Sequence, residues 1–328
     1  MKQASATMET RRFSKIKSGE NTEPRRFNWI KVWPWLFCAP FLIVYLVFTL
    51  YPTIYSFYLS LHEWNGFTAR IFVGLQNYRN LLTVDLEFFH SLWVTLRIMI
   101  ISIPGQIIIG LILAQLIFNL VRGKRFFQTV YFIPFIIAPA AVALMFRYVF
   151  EFERGYLNHL LVSIGLLQEN VFWMQTRAYV QPILGIITVW RQMGYSMVIL
   201  LAAMTAISVD LYDAAKVDGA NGWHQFWYIT IPQIRYMIIF LILTSIIGGF
   251  QMFEIPSLIY TGISQEATHI GGPGGEALTV MWKFFNDTFQ TGMRLGYGAA
   301  ISYLLFLAIL LVSIVVRFIT SRFEREDD

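Results

Sequence analysis

The sequence has few charged residues and few of the side chains that build catalytic or metal sites. Only 14% of its 328 residues are Asp, Glu, Lys or Arg, whereas about 25% is typical of a soluble domain. The single cysteine excludes an intrachain disulfide, and the five scattered histidines show no metal-ligand spacing. This composition argues against an ordinary soluble enzyme, a disulfide-stabilised scaffold and a metalloprotein.

Two motifs of energy conversion and covalent catalysis are also missing from the sequence. A phosphate-binding loop of the Gly-x-x-x-x-Gly-Lys-Ser/Thr type does not occur, because Gly123-Lys124 is followed by Arg125 and has no upstream glycine at the required spacing. A Gly-x-Ser-x-Gly nucleophile elbow is not present either. We therefore predict that this chain is not an enzyme and holds no cofactor or metal. Energy for any transport must then come from ions or from another subunit.

What the sequence does contain is apolar and aromatic. Hydrophobic residues make up 56% of the chain, aromatic residues 17%, and the mean hydropathy is +0.56. A membrane helix needs about 20 mostly apolar residues, and six stretches satisfy this requirement. They are residues 33–61, 92–119, 127–150, 180–207, 236–260 and 295–318. The sequence therefore predicts an all-α membrane protein with six transmembrane helices.

The basic residues predict which way these spans are oriented. With the N-terminus inside, the inner segments carry 16 Lys and Arg and the outer loops carry 5, Lys283 among them. Cytoplasmic loops are the ones enriched in Lys and Arg, so both termini are predicted to be cytoplasmic. Residues 1–31 then form a basic cytoplasmic tail, and residues 32–328 form the transmembrane domain. The net charge of +5 is explained by topology, so no nucleic-acid partner is expected.

The segment between spans four and five, residues 208–232, differs from the other loops because it begins with polar residues. Ser208 and Asn221 are suitable N-caps for two short helices, and Gly219 suits the end of the first. Gly222 suits a tight bend, and Pro232 is expected to break the chain before span five. These features predict a helix–turn–helix on the cytoplasmic surface. A plain solvated loop with an interfacial aromatic side is the alternative.

The spacing within this segment decides between the two interpretations. It reads Asp213-Ala214-Ala215, three residues, Gly219, nine residues, and then Ile-Thr-Ile-Pro232. This order closely resembles the EAA loop of binding-protein-dependent ABC importer permeases, with Asp in place of Glu and Ile in place of Leu. The run Asp218-Gly-Ala resembles the form found in the sugar-importing branch.

Four other stretches resemble the same family. They are 72–78 (Phe-Val-Gly-Leu-Gln-Asn-Tyr), 132–139, 272–275 (Gly-Pro-Gly-Gly) and 295–302. Together they make the chain similar to the first of two permease subunits of carbohydrate importers of the maltose or glycerol-phosphate type. One departure is the stretch 263–271, which separates two motifs that the family joins almost directly.

The resemblance implies a type I ABC importer permease fold in a prokaryotic inner membrane. It also implies four kinds of partner: a homologous second permease, a cytoplasmic ATPase dimer, an extracytoplasmic solute-binding protein, and a sugar or oligosaccharide. ATP and Mg would bind only to the ATPase. In this family the EAA helix docks in a cleft of the ATPase, so the resemblance assigns the coupling role to Asp213, Ala214, Ala215, Asp218, Gly219 and Pro232.

The resemblance also indicates which residues line the solute path. In this family the sugar is bound in mid-membrane by residues of spans four and five. The corresponding residues here are Arg191, Gln192, Tyr195, Ser245, Gly248, Gly249, Met252, Phe253 and Glu254. Aromatic faces pack on sugar rings, whereas charged and amide groups bond hydroxyls or a carboxylate. An intramembrane arginine is a functional candidate by default.

Some alternatives remain open at this level. Gly248 and Gly249 are equally suited to close helix packing, as is the pair Gly292 and Gly296. Arg191 can instead form a structural pair with Glu254. Separately, a first permease subunit of this family need not contact solute. An ion-coupled secondary transporter and an ABC permease for a non-sugar polar solute are the two competing functions.

Overall fold

The computed structural model describes residues 29–261 and 270–325. The chain divides into two compact units, 1–55 and 56–328. In the first unit the described residues form helix α1 (Trp29–Tyr45), a π-helical turn (Leu46–Leu50) and the beginning of α2 (Tyr51–Ser60). Most of the predicted basic tail and of the 263–271 stretch lies outside the described residues.

The second unit is built from helices and one very short hairpin. Strands β1 (His62–Glu63) and β2 (Ile71–Phe72) pair antiparallel, with His62 opposite Phe72. The helices are α3 (Gln76–Thr83), α4 (Leu86–Asn119), α5 (Lys124–Ile136), α6 (Pro139–Val149), α7 (Tyr156–Ser163), α8 (Arg177–Thr205), α9 (Val209–Val217), α10 (Gly222–Gln225), α11 (Ile231–Phe250), α12 (Glu254–Tyr260), α13 (Val280–Phe285) and α14 (Leu295–Arg325). One 3₁₀ turn (Pro273–Gly275) and two π-helical turns (Phe226–Thr230 and Asn286–Gln290) complete the described elements.

The prediction of an all-helical membrane chain is confirmed in its coarse form. Five helices in the described ranges are long and apolar enough to cross a membrane, and a bent pair raises the number to six. The five are Trp35–Ser60, Leu86–Asn119, Arg177–Thr205, Gly222–Phe250 and Leu295–Phe318. The count of six spans and the cytoplasmic termini stay predictions.

The third predicted span, 127–150, is not one helix. Helices α5 and α6 meet at an angle of 92°. Pro139 is the first residue of α6, and the preceding Ala138 is extended with ψ 135°. A residue before proline is disfavoured in helical conformation, so the chain bends there. Pro134 is tolerated inside α5.

The fifth predicted span, 236–260, is displaced toward the N-terminus. An apolar helical span runs without interruption from Gly222 to Phe250, so the predicted break at Pro232 is wrong. The π-helical turn just before Pro232, in which the Ile231 N–H bonds the Phe226 carbonyl, accommodates the ring because such local widening re-satisfies backbone groups. The helix ends at Phe250, and a new helix starts at Glu254.

Helices α4 and α8 form the centre of the second unit. Their facing side chains Val94, Ile98, Leu184 and Ile187 are fully buried in one cluster that also includes residues of α12. A second cluster joins α4 to α11 and α14, and a third joins α4 to α8 and α11. Within a bilayer such contacts stabilise the bundle through close van der Waals packing.

The motif at 72–78 closes one end of the bundle. The Asn77 amide donates to the carbonyls of Ser60 (2.8 Å) and His62 (3.0 Å). The Tyr78 hydroxyl bonds the Ser60 hydroxyl at 2.7 Å. Gly296 lies so close to the His62 carbonyl that a Cβ has no room, as expected for a packing glycine. These residues hold the end of α2, α3 and the start of α14 together.

Candidate solute cavity and coupling hairpin

A cavity of about 810 Å³ lies among α4, α5, α8, α11, α13 and α14. All nine residues predicted for the solute path line it: Arg191, Gln192, Tyr195, Ser245, Gly248, Gly249, Met252, Phe253 and Glu254. Met252 and Phe253 lie in the break after α11, and Glu254 is the first residue of α12. The structure therefore brings the predicted residues together in one place, and their contact with solute stays a prediction.

Arg191 lines this cavity and has no carboxylate partner among the described residues. Its Nε atom is buried and has no hydrogen-bond partner. Among the ion pairs of the described residues, none joins Arg191 to Glu254 within 4.0 Å. The alternative of a structural Arg191–Glu254 pair is therefore wrong for this structure.

Gln192, the next residue, also has a polar atom without a partner. Its Oε1 atom is buried and makes no hydrogen bond. Buried polar groups in folded proteins nearly always have a partner, and one left unsatisfied costs free energy. Arg191 and Gln192 both line the same cavity, so a rotation of either side chain would offer its unpartnered polar atom to a molecule inside it.

Aromatic rings form another part of the wall. The Tyr195 ring stacks on Phe135, with centroids 5.0 Å apart and planes at 22°. Phe306 of α14 also lines the cavity. A mixture of aromatic faces and polar groups is typical of small-molecule sites.

Several polar lining residues were missed by the sequence analysis. Ser102 and Gln106 lie one turn apart on α4 and are both buried. Further polar residues in the wall are Thr188, Thr244, Gln251 and Ser302. The available signal was polar side chains four apart within an otherwise apolar span, since such residues face a bundle interior or a cavity.

Adjacent glycines on α11 have opposite surroundings. A Cβ built on Gly248 meets nothing within 4 Å, whereas one built on Gly249 comes within 2.9 Å of the Met99 sulfur. Gly249 is therefore a packing glycine, as one alternative predicted, and Gly248 faces open space in the cavity.

The predicted helix–turn–helix is present at the opposite end of the bundle from the hairpin β1–β2. The Ser208 hydroxyl accepts from the Asp210 N–H at 3.3 Å and caps α9. The Asn221 carboxamide oxygen accepts from the His224 N–H at 3.0 Å and caps α10. Gly219 ends the first helix with φ +82°, a left-handed conformation that glycine adopts without strain.

Helix α9 presents most of its side chains outward. Asp213, Ala214 and Asp218 are exposed, and Ala215 is half-buried. Val217 is 87% exposed. The Asp213–Lys216 ion pair (2.8 Å) is itself exposed, so it contributes little to stability. This face is free to contact another protein.

One side chain joins α9 to the rest of the unit. The Tyr212 hydroxyl bonds the buried Thr230 hydroxyl at 3.0 Å, and its ring lies 6.0 Å from that of Phe118. Thr230 belongs to the continuous span Gly222–Phe250, which also carries Ser245 and Gly248. A continuous series of contacts therefore runs from α9 through Tyr212 and Thr230 to the cavity wall.

Comparison with known proteins identifies the family. The profile described as "Binding-protein-dependent transport system inner membrane component" matches residues 106–326. The lactose transport system permease protein LacF of Rhizobium radiobacter is 32% identical over 280 residues, covering 85% of this chain and 91% of LacF. The arabinooligosaccharides transport system permease protein AraP of Halalkalibacterium halodurans is 31% identical and covers 92% of both chains. The sn-glycerol-3-phosphate transport system permease protein UgpA of Escherichia coli O157:H7 is 30% identical over 90% of this chain and 96% of UgpA.

A solved structure supports the same fold. A chain of a bacterial ABC transporter involved in import of the acidic polysaccharide alginate superposes with a TM-score of 0.75 at 23% identity, covering 90% of this chain and 98% of that one. The family profile and the curated relatives confirm the predicted resemblance to ABC importer permeases. The chain belongs to the family of binding-protein-dependent transport system inner membrane components.

Proposed function

We propose that the protein is the permease subunit through which an ATP-driven importer passes a sugar or oligosaccharide. The observation that supports this most strongly is the cavity, in which the stacked Tyr195 and Phe135 rings lie beside the unpartnered polar atoms of Arg191 and Gln192. Relatives named for lactose and arabinooligosaccharide transport support the same solute class.

Within the cavity each group has a distinct task. The Tyr195–Phe135 stack offers an apolar face to one side of a sugar ring. The guanidinium of Arg191 donates to hydroxyl or anionic oxygens, and the Gln192 oxygen accepts from a hydroxyl. These hydrogen bonds replace the ones that the solute loses when it leaves water.

The chain itself carries out no covalent chemistry. The proposed energy source is ATP hydrolysis, with Mg, on a dimer of separate ATPase subunits that receives the exposed face of α9. Movement of α9 reaches the cavity through Tyr212, Thr230 and the uninterrupted span Gly222–Phe250, because a packed helix moves as a rigid body.

Two further parts complete the proposed importer. A homologous second permease supplies the other half of the path, and an extracytoplasmic binding protein delivers the solute. The complex would lie in a prokaryotic inner membrane with both termini of this chain in the cytoplasm, residues 1–31 as its basic tail and residues 32–328 as its transmembrane domain. An ABC permease for a non-sugar polar solute is the second candidate, since UgpA is named for sn-glycerol-3-phosphate.

A pull-down combined with uptake tests this function. The full-length chain, tagged at its C-terminus and extracted in mild detergent, is expected to recover an ATPase and a second permease. Cells are then given labelled lactose, arabinooligosaccharides or sn-glycerol-3-phosphate, and ATP-dependent uptake of one of the two sugars is expected. Recovery of this chain alone, with uptake driven by an ion gradient, would establish the secondary transporter instead.

The turn between α9 and α10, which belongs to the proposed coupling segment, offers a matched pair of variants. Neither Gly219 nor Gly222 has an atom within 4 Å of an added Cβ, but only Gly219 has a positive φ. Gly219→Val imposes about 1–2 kcal/mol of backbone strain, and we expect it to lower stimulated ATP hydrolysis and uptake together by roughly tenfold. Gly222→Val, which adds the same side chain where φ is not positive, should leave both unchanged. Equal behaviour of the two variants would remove the coupling role from this turn.

A further inference from the structure

Lys283 is buried at the end of the bundle that holds the hairpin β1–β2. The sequence places it among the loop charges, but its side chain is only 3% exposed within α13. Its ammonium group lies 3.1 Å from Asp85, 3.0 Å from Glu87 and 3.0 Å from Asp287. A solvated loop lysine would have no such set of partners.

The three carboxylates come from two parts of the chain, the start of α4 and the turn that follows α13. Asp85 caps α4 by accepting from the Phe88 N–H at 2.9 Å, and Glu87 lies in the first turn of α4. Asp287 lies one turn after Lys283, and the Tyr297 hydroxyl of α14 donates to Asp85 at 2.6 Å. The charge cluster therefore fixes α13 to the ends of both α4 and α14.

Helix α13 is also part of the cavity wall. Met281, two residues before Lys283, lines the cavity. The Thr279 hydroxyl donates to the Met252 carbonyl at 2.6 Å, and the Phe285 ring lies 4.7 Å from Phe253. Met252 and Phe253 are themselves lining residues.

We propose that Lys283 is a positioning residue for solute passage. Through the Asp85–Glu87–Asp287 cluster it holds α13 so that Met281, Met252 and Phe253 form the cavity wall at this end. The proposal rests on the function proposed above for the cavity. Loss of the ammonium group leaves three carboxylates close together without their counter-charge, so α13 should move away from α4.

Thiol labelling tests the position of the wall without any solute. The only cysteine, Cys38, is replaced by serine, and Met281→Cys is introduced in the full-length chain in membranes of producing cells. The probe is N-ethylmaleimide, and the second-order labelling rate is measured. A matched reporter is Ser245→Cys, which faces the same cavity from α11.

Lys283→Met is expected to raise the labelling rate of the Met281→Cys thiol by about tenfold, because α13 opens locally. The labelling rate of the Ser245→Cys thiol should change by less than about twofold in Lys283→Met. In Lys283→Arg, which keeps the positive charge, the Met281→Cys thiol should be labelled at the same rate as in the parent. Glu87 is half exposed, so Glu87→Gln is a milder variant that decides the question if Lys283→Met fails to fold. Glu87→Gln is expected to raise the labelling rate of the Met281→Cys thiol about two- to threefold.

An unchanged rate at position 281 in both variants would overturn the proposal. Equal acceleration of both thiols would also overturn it, because Lys283 would then stabilise the bundle in general rather than place the wall. Failure of the importer assignment is recognised separately, by the pull-down that recovers no ATPase.

Discussion

Arg191 and Lys283 carry the same charge in opposite surroundings. Lys283 is enclosed by three carboxylates within about 3 Å, whereas Arg191 has no carboxylate partner among the described residues and keeps a buried Nε without a hydrogen bond. A buried cation with its own counter-ions has no unused bonding capacity. A cation without them is stable only with water, solute or another chain beside it. The first arrangement suits a structural role, and the second suits the solute-binding role that we propose for Arg191.

The largest expected effect concerns stability at the paired cation. Lys283→Met removes one partner of a buried charge cluster, which typically costs about 3–5 kcal/mol. Unfolding of the purified chain in mixed micelles measures this loss. A variant as stable as the parent would show that the three carboxylates do not need the ammonium group.

The unpaired cation should show the reverse behaviour. Arg191→Gln removes a charge that no side chain among the described residues neutralises, so the free energy of unfolding should change by less than about 1 kcal/mol. ATP-dependent uptake should fall about 10- to 100-fold, because a charge-assisted hydrogen bond to solute is lost. If stability falls as far as in Lys283→Met, the contrast between the two cations is wrong.

The two adjacent glycines of α11 show the same contrast between a residue that packs and a residue that lines the cavity, with smaller expected effects. Gly249→Ala forces Met99 to move and should cost about 1–2 kcal/mol of stability. Gly248→Ala adds a methyl group in open space, so it should preserve stability. A larger substitution, Gly248→Leu, should selectively slow uptake of the larger solutes. Equal losses of stability at both positions would remove the distinction between packing and lining.

The smallest effect is a pH dependence confined to the charge cluster. Burial alone would raise the pKa of Asp85, but hydrogen bonds from Tyr297 and the Phe88 N–H and the charge of Lys283 lower it below 3.8. Burial alone would lower the pKa of Lys283, but Asp287, Glu87 and Asp85 raise it above 10.5.

These directions define a window of stability. The contribution of Asp85 is present above pH 3.8 and disappears as the pH falls through its lowered pKa. The contribution of Lys283 is present below pH 10.5 and disappears as the pH rises through its raised pKa. The unfolding midpoint should therefore be nearly constant between about pH 5 and 9. Asp85→Asn should flatten the acid limb, and an unaltered limb would exclude Asp85 as its source.

The sequence predicted features that depend on local chemistry. The caps at Ser208 and Asn221 and the helix end at Gly219 follow from side chains and backbone preferences within a few residues. The nine solute-path residues were also predicted together, because helical spacing and the resemblance to the family placed them on spans four and five. Their role in contacting solute is untested.

Features that depend on distant partners escaped prediction. Lys283 was assigned to an outer loop because two of the carboxylates that bind it, at positions 85 and 87, lie almost 200 positions away in sequence. Pro232 was expected to end a helix, but a π-helical turn just before it makes room for the ring. Ser102 and Gln106 were overlooked because the mean hydropathy of the second predicted span stays high although two polar residues lie on one of its faces.

The 92° bend between α5 and α6 has a consequence for how the protein is made. Their 13 and 11 residues give lengths of about 20 and 17 Å, so neither helix alone crosses a hydrocarbon layer of about 30 Å. The non-helical backbone between them must be covered by protein within the bilayer. That cover is supplied by α8, where Tyr195 stacks on Phe135 and Trp190 packs edge-on against Phe146 at 5.3 Å. If the bent pair crosses the membrane as predicted, we expect it to become a stable membrane element during synthesis only after α8, which follows it in the chain, has been inserted.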